Sequence, residues 1–242
     1  MHRFFARWEG AQGAIAHIDA QEAAHLGKVL RLASGDTVQL LDGRGNRCLA
    51  QLTQADKTGA QARILEMLPG NETRVQVTLY QGMPKSDKME WIVQKCTELG
   101  AYAVRGVYFK RSDVRPDTDK QDKKIQRLER IALEAAKQCG RGAPARVLAP
   151  VAFSGCDFSG HSAVLVPWEE GGMPFSQAVR SADLSNAALV IGPEGGIDKT
   201  EIDALLGAGA VPVTLGPRIL RTETAAVGAL AALMCLAGEW EA

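Results

Sequence analysis

Two short stretches near the C-terminal end of the chain combine residue types that could hold a small ligand. The first, VIGPEGGIDKTE, runs from Val190 to Glu201, and the second, LGPRILRTETAA, runs from Leu215 to Ala226. Glycine lets a ligand approach the backbone and proline fixes a turn, so such loops suit a ligand bound by main-chain N–H and C=O groups in an apolar slot. The glycines and prolines concerned are Gly192, Pro193, Gly195, Gly196, Gly216 and Pro217.

The composition of these stretches argues against a phosphate nucleotide as the ligand. The chain contains neither GxxxxGK[ST] nor a GxGxxG that opens a helix, and Glu194 would repel a phosphate. S-adenosylmethionine, which carries a sulfonium, an amino group and an adenine, fits better. The alternative is that glycine and proline only form tight turns, but two such loops in the same order, about 25 residues apart, favour a ligand site.

The rest of the chain predicts the elements that position these loops. Residues 1–70 predict short strands with hairpin turns at the spacing of a small barrel, interrupted by a helix over residues 20–32. Pro, Gly and Asn cluster in Leu68–Thr73, where we place a domain boundary. Residues 71–242 alternate apolar strands with amphipathic helices and predict an α/β domain with a mostly parallel sheet. One helix would be capped by Ser86 and closed by Gly100, and another would start with a capping box of Asp198 and Glu201.

Composition and charge narrow the class of protein. The chain of 242 residues is 46% hydrophobic and 23% charged. Its longest apolar stretch, Ala225–Ala237, is too short to span a bilayer. Met1–Gly10 lacks the apolar core of a signal peptide. Five scattered cysteines predict reduced thiols and a cytoplasmic protein, and the isolated histidines predict no metal site. The net charge is zero, yet residues 71–150 carry 16 basic against 10 acidic side chains. This local excess indicates either a basic surface that binds phosphate or only a solvated helix face.

Beyond these patterns, the two stretches together resemble the signature of the RsmE-type 16S rRNA (uracil-N3) methyltransferases of the SPOUT class. The resemblance extends over nearly the whole chain: HLGKVLRLASGD is similar to the family's PUA-like RNA-binding domain, and KMEWIVQKCTELG and EAAKQCGR to its middle helices. It implies a PUA-like β-barrel over residues 1–70 and a trefoil-knotted SPOUT methyltransferase domain over residues 71–242. It also implies a homodimer that methylates N3 of a uridine in 16S rRNA or in the assembled small subunit.

The resemblance further implies roles for individual residues. Arg221, and after it Arg218, would stabilise negative charge on the uracil oxygens; the alternative for Arg221 is an ion pair with Glu194 or Glu223 that only stiffens the loop. Glu223 is a candidate base whose alternative role is to complement the helix N-terminus, and the proton could also leave to water without any side-chain base. S-adenosyl-L-methionine would be bound by three loops comprising Leu165, Pro167, Gly192, Glu194, Gly196, Leu215, Gly216, Ile219, Leu220 and Thr224. RNA would be bound by Arg3, Arg31, Lys110, Arg111, Lys123 and Lys124, although the segment before Arg111 departs from the family pattern.

Two other functions remain open from the sequence. One is a SPOUT enzyme that acts on tRNA or on large-subunit rRNA. The other is a ribosome-assembly factor that binds RNA with this fold but has lost the activity, against which the preserved glycines and the RTET turn argue.

The local excess of basic residues leads to a prediction about RNA binding. Contacts to phosphates release counterions, so we expect the affinity for RNA to fall as the salt concentration rises from about 50 to about 200 mM, with little dependence on RNA sequence. Fluorescence anisotropy with two unrelated labelled RNAs measures this dependence. An affinity that stays constant over that range would contradict the basic-surface interpretation.

Overall fold

The structure is a computed structural model that describes residues 1–56, 58–116 and 118–241. The chain divides into two units, residues 1–72 with 133–144 and residues 73–132 with 145–242.

The first unit is built on a strongly curled five-stranded sheet. Its elements are β1 (Arg3–Phe5), β2 (Ile15–Ile18), α1 (Ala20–Lys28), β3 (Thr37–Leu41), β4 (Arg47–Ala55) and β5 (Ala60–Leu68). The strand order is β1-β3-β4-β5-β2, and all neighbours are antiparallel except β1 and β3. The two edges meet where Arg7 and His17 exchange main-chain hydrogen bonds of 2.8 Å, so the sheet closes on an apolar core as the barrel prediction requires.

Helix α1 is shorter than the sequence predicts. The side chain of Asp19 accepts a hydrogen bond from the Glu22 amide at 2.9 Å and caps the N-terminus. The helix ends at Lys28 rather than at residue 32 because Arg31 adopts a left-handed φ of 56°, which no α-helix accommodates.

The second unit is an α/β domain. Its elements are β6 (Val77–Gly82), α2 (Lys88–Glu98), β7 (Ala103–Tyr108), α3 (Thr118–Cys139, whose last residues belong to the first unit), β8 (Arg146–Ala152), a 3₁₀ turn (Phe153–Gly155), β9 (Ala163–Pro167), β10 (Met173–Pro174), α4 (Phe175–Ser181), β11 (Ala187–Ile191), α5 (Lys199–Gly207), β12 (Val211–Thr214) and α6 (Thr222–Leu236). The seven strands, in the order β10-β12-β9-β11-β6-β7-β8, are all parallel, which confirms the predicted fold class.

Alternate residues of the central strands face two different apolar layers. Leu189 and Ile191 of β11 lie in the cluster formed with α2, α4 and α6, whereas Ala188 and Val190 lie in the cluster formed with α5. Both faces of the sheet are therefore covered, and this explains why the strands read as continuous apolar runs in the sequence. The residues free to carry polar chemistry are those at the strand ends.

The turn before α2 differs from the prediction. Ser86 does not cap the helix: it has a left-handed φ of 57°, and Asp87 occupies the N-cap position without a side-chain cap. The end of the helix agrees with the sequence, because Gly100 follows it with a φ of 98°. The predictions did not include β8 or the short helix α4.

No helix in the described part of the chain is long and apolar enough to cross a membrane.

The start of α5 allows a stability prediction. Glu201 is buried; its two carboxylate oxygens accept hydrogen bonds from the amides of Lys110 (2.8 Å) and Asp198 (3.2 Å), so it completes the predicted capping box. We expect Glu201→Ala to lower the free energy of unfolding by about 1–3 kcal/mol, because both amides lose their acceptor. Chemical denaturation measures the change.

The matched control is Asp203→Ala on the same helix, where the side chain is exposed. It should change the free energy of unfolding by about 0.5 kcal/mol or less. Equal effects of the two substitutions would show that the carboxylate of Glu201 adds nothing beyond helix propensity.

Candidate functional site

Three polar loops meet at one edge of the parallel sheet. They follow β9, β11 and β12, and these strands are neighbours because β9 pairs with β11 on one side and with β12 on the other. The carboxyl ends of parallel strands lie at the same edge, which is where ligands bind in open α/β sheets. The two stretches that the sequence singled out are the loops after β11 and β12.

The loops enclose a cavity of about 840 Å³. This volume lies in the range of about 300–1,000 Å³ that small-molecule sites occupy. The lining combines apolar side chains, glycine backbone and charged groups: Pro167, Trp168, Glu169, Glu170, Gly171, Ile191, Gly192, Pro193, Glu194, Gly196, Ile197, Thr214, Leu215, Gly216, Pro217, Arg218, Ile219, Leu220, Arg221, Thr222 and Ala225.

Two glycines allow the loop after β11 to lie where it does. Gly196 has a φ of 74°, and a Cβ atom there would lie 2.5 Å from Oε1 of Glu169 in the neighbouring loop. At the end of β6, a Cβ atom on Gly82 would collide with the backbone of Pro193. A side chain at position 82 would push the loop away from β6, whereas at position 196 the positive φ is what favours glycine.

A chain of two hydrogen bonds connects three elements at the cavity. Nε2 of Gln81, at the end of β6, donates to Oγ1 of Thr222 at 2.8 Å, and this hydroxyl donates to the carbonyl of Gly192 at 2.6 Å. The first hydrogen bond is buried and therefore protected from competition by water, and the second is partly buried. The first residue of α6 is thereby fixed to the loop after β11.

Lys88 forms a double ion pair beside the cavity. Its Nζ atom lies 3.0 Å from Oε1 of Glu194 and 3.1 Å from Oε2 of Glu223. Partial burial raises the pKa of the Glu194 carboxyl, but the amide of Lys85 and the ammonium of Lys88 outweigh it and hold that pKa below its ordinary value. The two carboxylates in turn raise the pKa of Lys88.

Arg218 and Arg221 line the cavity differently. Both side chains are exposed, and neither forms an ion pair with any residue in the described ranges. The alternative that Arg221 pairs with Glu194 or Glu223 is not met; both carboxylates are bound by Lys88. Arg218 and Arg221 therefore line the cavity without an ion-pair partner in the described ranges, although Glu169, Glu170 and Glu194 line the same cavity.

Most residues assigned to a cofactor from the sequence come together at this cavity. Those that line it are Pro167, Gly192, Glu194, Gly196, Leu215, Gly216, Ile219 and Leu220. Leu165 is buried in the core within β9, and Thr224 is exposed on α6; neither lines the cavity. Sequence reasoning did not name Trp168, Glu169 or Thr222, although Thr222 belongs to the RTET turn and its position at the helix start was a usable signal.

The candidate RNA-binding residues have varied surroundings. In the first unit, Arg3 donates to the carbonyls of Lys137 (3.2 Å) and Gln138 (2.8 Å) at the end of α3, and Arg31 is exposed. In the second unit, Arg111 lies 3.4 Å and Lys110 3.7 Å from the carboxylate of Asp198, with both side chains about half exposed or more. Lys123 and Lys124 are exposed on α3.

Within the described ranges, no group of three His, Cys, Asp or Glu side chains could hold a metal ion.

Comparison with known proteins identifies the family. Residues 71–234 match the model of an RNA methyltransferase domain, and residues 18–65 match that of an RNA methyltransferase PUA domain. The chain is 35% identical over 228 residues to ribosomal RNA small subunit methyltransferase E of Bacillus subtilis, covering 89% of this chain and 88% of that protein. It is 34% identical over 236 residues to the protein of the same name from Mycobacterium bovis, covering 95% and 90%.

Solved structures give the same result. The ribosomal RNA small subunit methyltransferase E of Neisseria gonorrhoeae, crystallised with S-adenosyl methionine, superimposes with a TM-score of 0.85 at 29% identity and 98% coverage of both chains. A putative methyltransferase of Legionella pneumophila in complex with the cofactor SAM gives 0.79 at 30% identity, with 96% of each chain covered. The chain therefore belongs to the ribosomal RNA small subunit methyltransferase E family of RNA methyltransferases.

Proposed function

We propose that this protein transfers a methyl group from S-adenosyl-L-methionine to N3 of a specific uridine in 16S ribosomal RNA. The observation that carries the proposal is the cavity at the carboxyl ends of β9, β11 and β12, formed by the loops that also carry the family signature. Relatives named ribosomal RNA small subunit methyltransferase E match over most of the chain, and this supports the choice of RNA.

The residues present fit S-adenosylmethionine. Apolar side chains such as Ile191, Leu215 and Leu220 offer contacts to an adenine ring, and the exposed backbone of Gly192 and Gly216 offers main-chain hydrogen-bonding groups. The acidic groups Glu169, Glu170 and Glu194 suit a ligand that carries a sulfonium and an ammonium. Leu165 and Thr224 would act indirectly, as core and helix-start residues beneath the loops.

The donor, when bound, supplies an electrophilic methyl group on a positively charged sulfur. The chain must then orient the uracil so that N3 faces that methyl group, and it must stabilise the negative charge that develops on the uracil oxygens when the N3 proton leaves. Arg221 is suited to this task because its exposed guanidinium lines the cavity without an ion-pair partner in the described part of the chain. Arg218 would assist by binding the uracil or the neighbouring phosphate.

Glu223 has less support as a base. It does not line the cavity, and its Oε2 atom lies 3.1 Å from the ammonium of Lys88. Its position in the first turn of α6 suits a negative charge for electrostatic reasons alone. We therefore propose that water takes the proton from N3, while a nearby guanidinium stabilises the uracil anion.

We further propose the arrangement of the whole protein. Residues 1–70 would form the PUA-like RNA-binding domain, and residues 71–242 a SPOUT methyltransferase domain with a trefoil knot. Arg3, Arg31, Lys110, Arg111, Lys123 and Lys124 would bind the RNA backbone. Because Arg3 binds the end of α3 and Lys110 and Arg111 lie against Asp198, we expect these three to contribute less than the exposed side chains of Arg31 and Lys123.

We also propose that the protein is a homodimer. We place it in the cytoplasm because its proposed substrate is ribosomal RNA. The inner face of α6 packs in the core, and its outer face still carries small, largely apolar residues: Thr224, Gly228, Ala231 and Cys235. A second copy that covers this face would remove it from water, and small residues allow close contact between helices.

Methyl transfer from labelled S-adenosylmethionine tests the function. Small ribosomal subunits that lack the modification are offered in parallel with large subunits and bulk tRNA. We expect label only in the small-subunit RNA, at N3 of one uridine, located by nuclease digestion and mass spectrometry. Label in tRNA or large-subunit RNA would overturn the substrate, and bound donor without any transfer would favour an RNA-binding assembly factor.

The role of Arg221 gives a second prediction. We expect Arg221→Ala to lower the rate of methyl transfer by about 100- to 1,000-fold, as loss of a group that stabilises developing charge does in other enzymes. The affinity for S-adenosylmethionine, measured by calorimetry, should change by about threefold or less, because Arg221 is assigned to the uracil.

Arg180→Ala is the matched control, since Arg180 is also exposed but lies on α4, outside the cavity lining. It should leave both quantities unchanged. If Arg221→Ala instead abolished donor binding, Arg221 would be a structural member of the cofactor loop.

A further inference from the structure

The ammonium of Lys88 lies between the carboxylates of Glu194 and Glu223. It lies 3.0 Å from Glu194, which lines the cavity, and 3.1 Å from Glu223, in the first turn of α6. The three side chains are between 19% and 27% exposed, so the ion pairs are partly withdrawn from water. Charge pairs in such positions are stronger than fully exposed ones.

Both carboxylates would otherwise be available to Arg221. Glu194 lines the same cavity as this arginine, and Glu223 follows it by two residues on the same chain segment. A guanidinium binds carboxylates in preference to most other groups, often through two hydrogen bonds. Arg221 forms no ion pair within the described ranges, and both of these carboxylates are bound by Lys88.

The turn before α2 holds Lys88 in this position. Ser86 adopts a φ of 57°, a conformation that costs free energy in a non-glycine residue and persists only where the surroundings impose it. The amide of Lys85 in the same turn donates to the same Glu194 oxygen at 3.1 Å. The ammonium of Lys85 does not compete for Glu194, because it lies 2.7 Å from Asp113.

The remainder of α2 fixes the turn to the core. Met89, Ile92 and Val93 are buried directly after Lys88, so this end of the helix cannot move without exposing apolar surface. Glu90 is bound by Arg127 at 2.8 Å and does not compete for Lys88. Lys88 is therefore a charge held on a packed helix, and it contacts the loop after β11 through Glu194 and the first turn of α6 through Glu223.

We propose that Lys88 is a positioning residue for methyl transfer: by binding Glu194 and Glu223 it keeps the guanidinium of Arg221 unpaired and available to the uracil oxygens. This inference rests on the proposed function, because it assumes that Arg221 acts on the uracil. Lys88 itself touches neither substrate nor donor in this scheme. When Lys88 is removed, a released carboxylate binds Arg221 and withdraws it from the reaction.

The first experiment compares Lys88→Met and Lys88→Arg in methyl transfer to small subunits. We expect Lys88→Met to lower kcat by about 10- to 100-fold, because displacement of the Arg221 guanidinium removes part of its stabilisation of the developing charge. The affinity for S-adenosylmethionine should stay within about threefold of that of the unchanged protein, because Lys88 does not contact the donor in this scheme. Lys88→Arg, which keeps the charge, should restore most of kcat.

Second-site substitutions separate positioning from simple destabilisation. If a free carboxylate captures Arg221, then Lys88→Met combined with Glu223→Gln, a residue outside the cavity lining, should recover activity relative to Lys88→Met alone. Failure of this double variant to recover any activity would overturn the proposal, as would a loss of donor affinity equal to the loss of kcat. Lys95→Met is the control on the same helix, because Lys95 pairs only with Glu98 among the described residues, at 2.9 Å.

A spectroscopic measurement tests the inference without RNA. The Nε–Hε NMR signal of Arg221, assigned by its disappearance in Arg221→Lys, should shift and exchange more slowly with water in Lys88→Met, as expected for an arginine that has gained an ion pair. An unchanged signal would overturn the proposal. If the unchanged protein failed to methylate RNA, the proposed function would fall, while this signal would still report whether Lys88 keeps Arg221 unpaired.

Discussion

The parallel pairing of β9 with both β11 and β12 is the constraint on which the site depends. Other elements separate these three strands along the chain. Strand β10 and helix α4 lie between β9 and β11, and helix α5 lies between β11 and β12. Their parallel direction brings three separate loops to one edge of the sheet, where each contributes part of the cavity wall. Burial of the strands on both faces leaves polar chemistry to these loops alone.

Polar contacts then fix the positions of these loops relative to one another. Thr222 accepts a buried hydrogen bond from Gln81 and donates a partly buried one to the carbonyl of Gly192. Gly82 allows the backbone of Pro193 to approach more closely than any side chain would permit. The start of α6 and the loop after β11 are thus held on the end of β6, which is the kind of support that a site needs to keep its reacting groups in place.

The distribution of charge around the cavity follows from the same geometry. Lys88 binds the carboxylates of Glu194 and Glu223, so a lysine from a different element offsets part of their negative charge. The exposed arginines of the loop after β12 remain without partners in the described ranges. An unpaired guanidinium in a cleft suits a reaction in which negative charge develops on a planar base, and the membership of an RNA methyltransferase family agrees with that chemistry.

The sequence by itself determined the fold class, the end of α2 at Gly100, the capping box of Asp198 with Glu201, and the two loops that line the cavity. These features depend on local propensity, on apolar periodicity and on glycine and proline at fixed places, all of which are visible along the chain. The family followed from the same two loops, since their residues form a specific signature.

Tertiary structure decided what each polar residue contacts. Ser86 looked like a helix cap but takes a left-handed turn that places Lys88, and Arg3 and Lys110 looked like free RNA contacts but bind groups of the protein. Leu165 lies under the cavity rather than in its wall, while Glu169 and Thr222, which the patterns did not single out, line it. The physical reason is that ion pairs and side-chain hydrogen bonds join residues far apart in the chain, as Lys88 does with Glu194 and Glu223, and no local pattern records such partners.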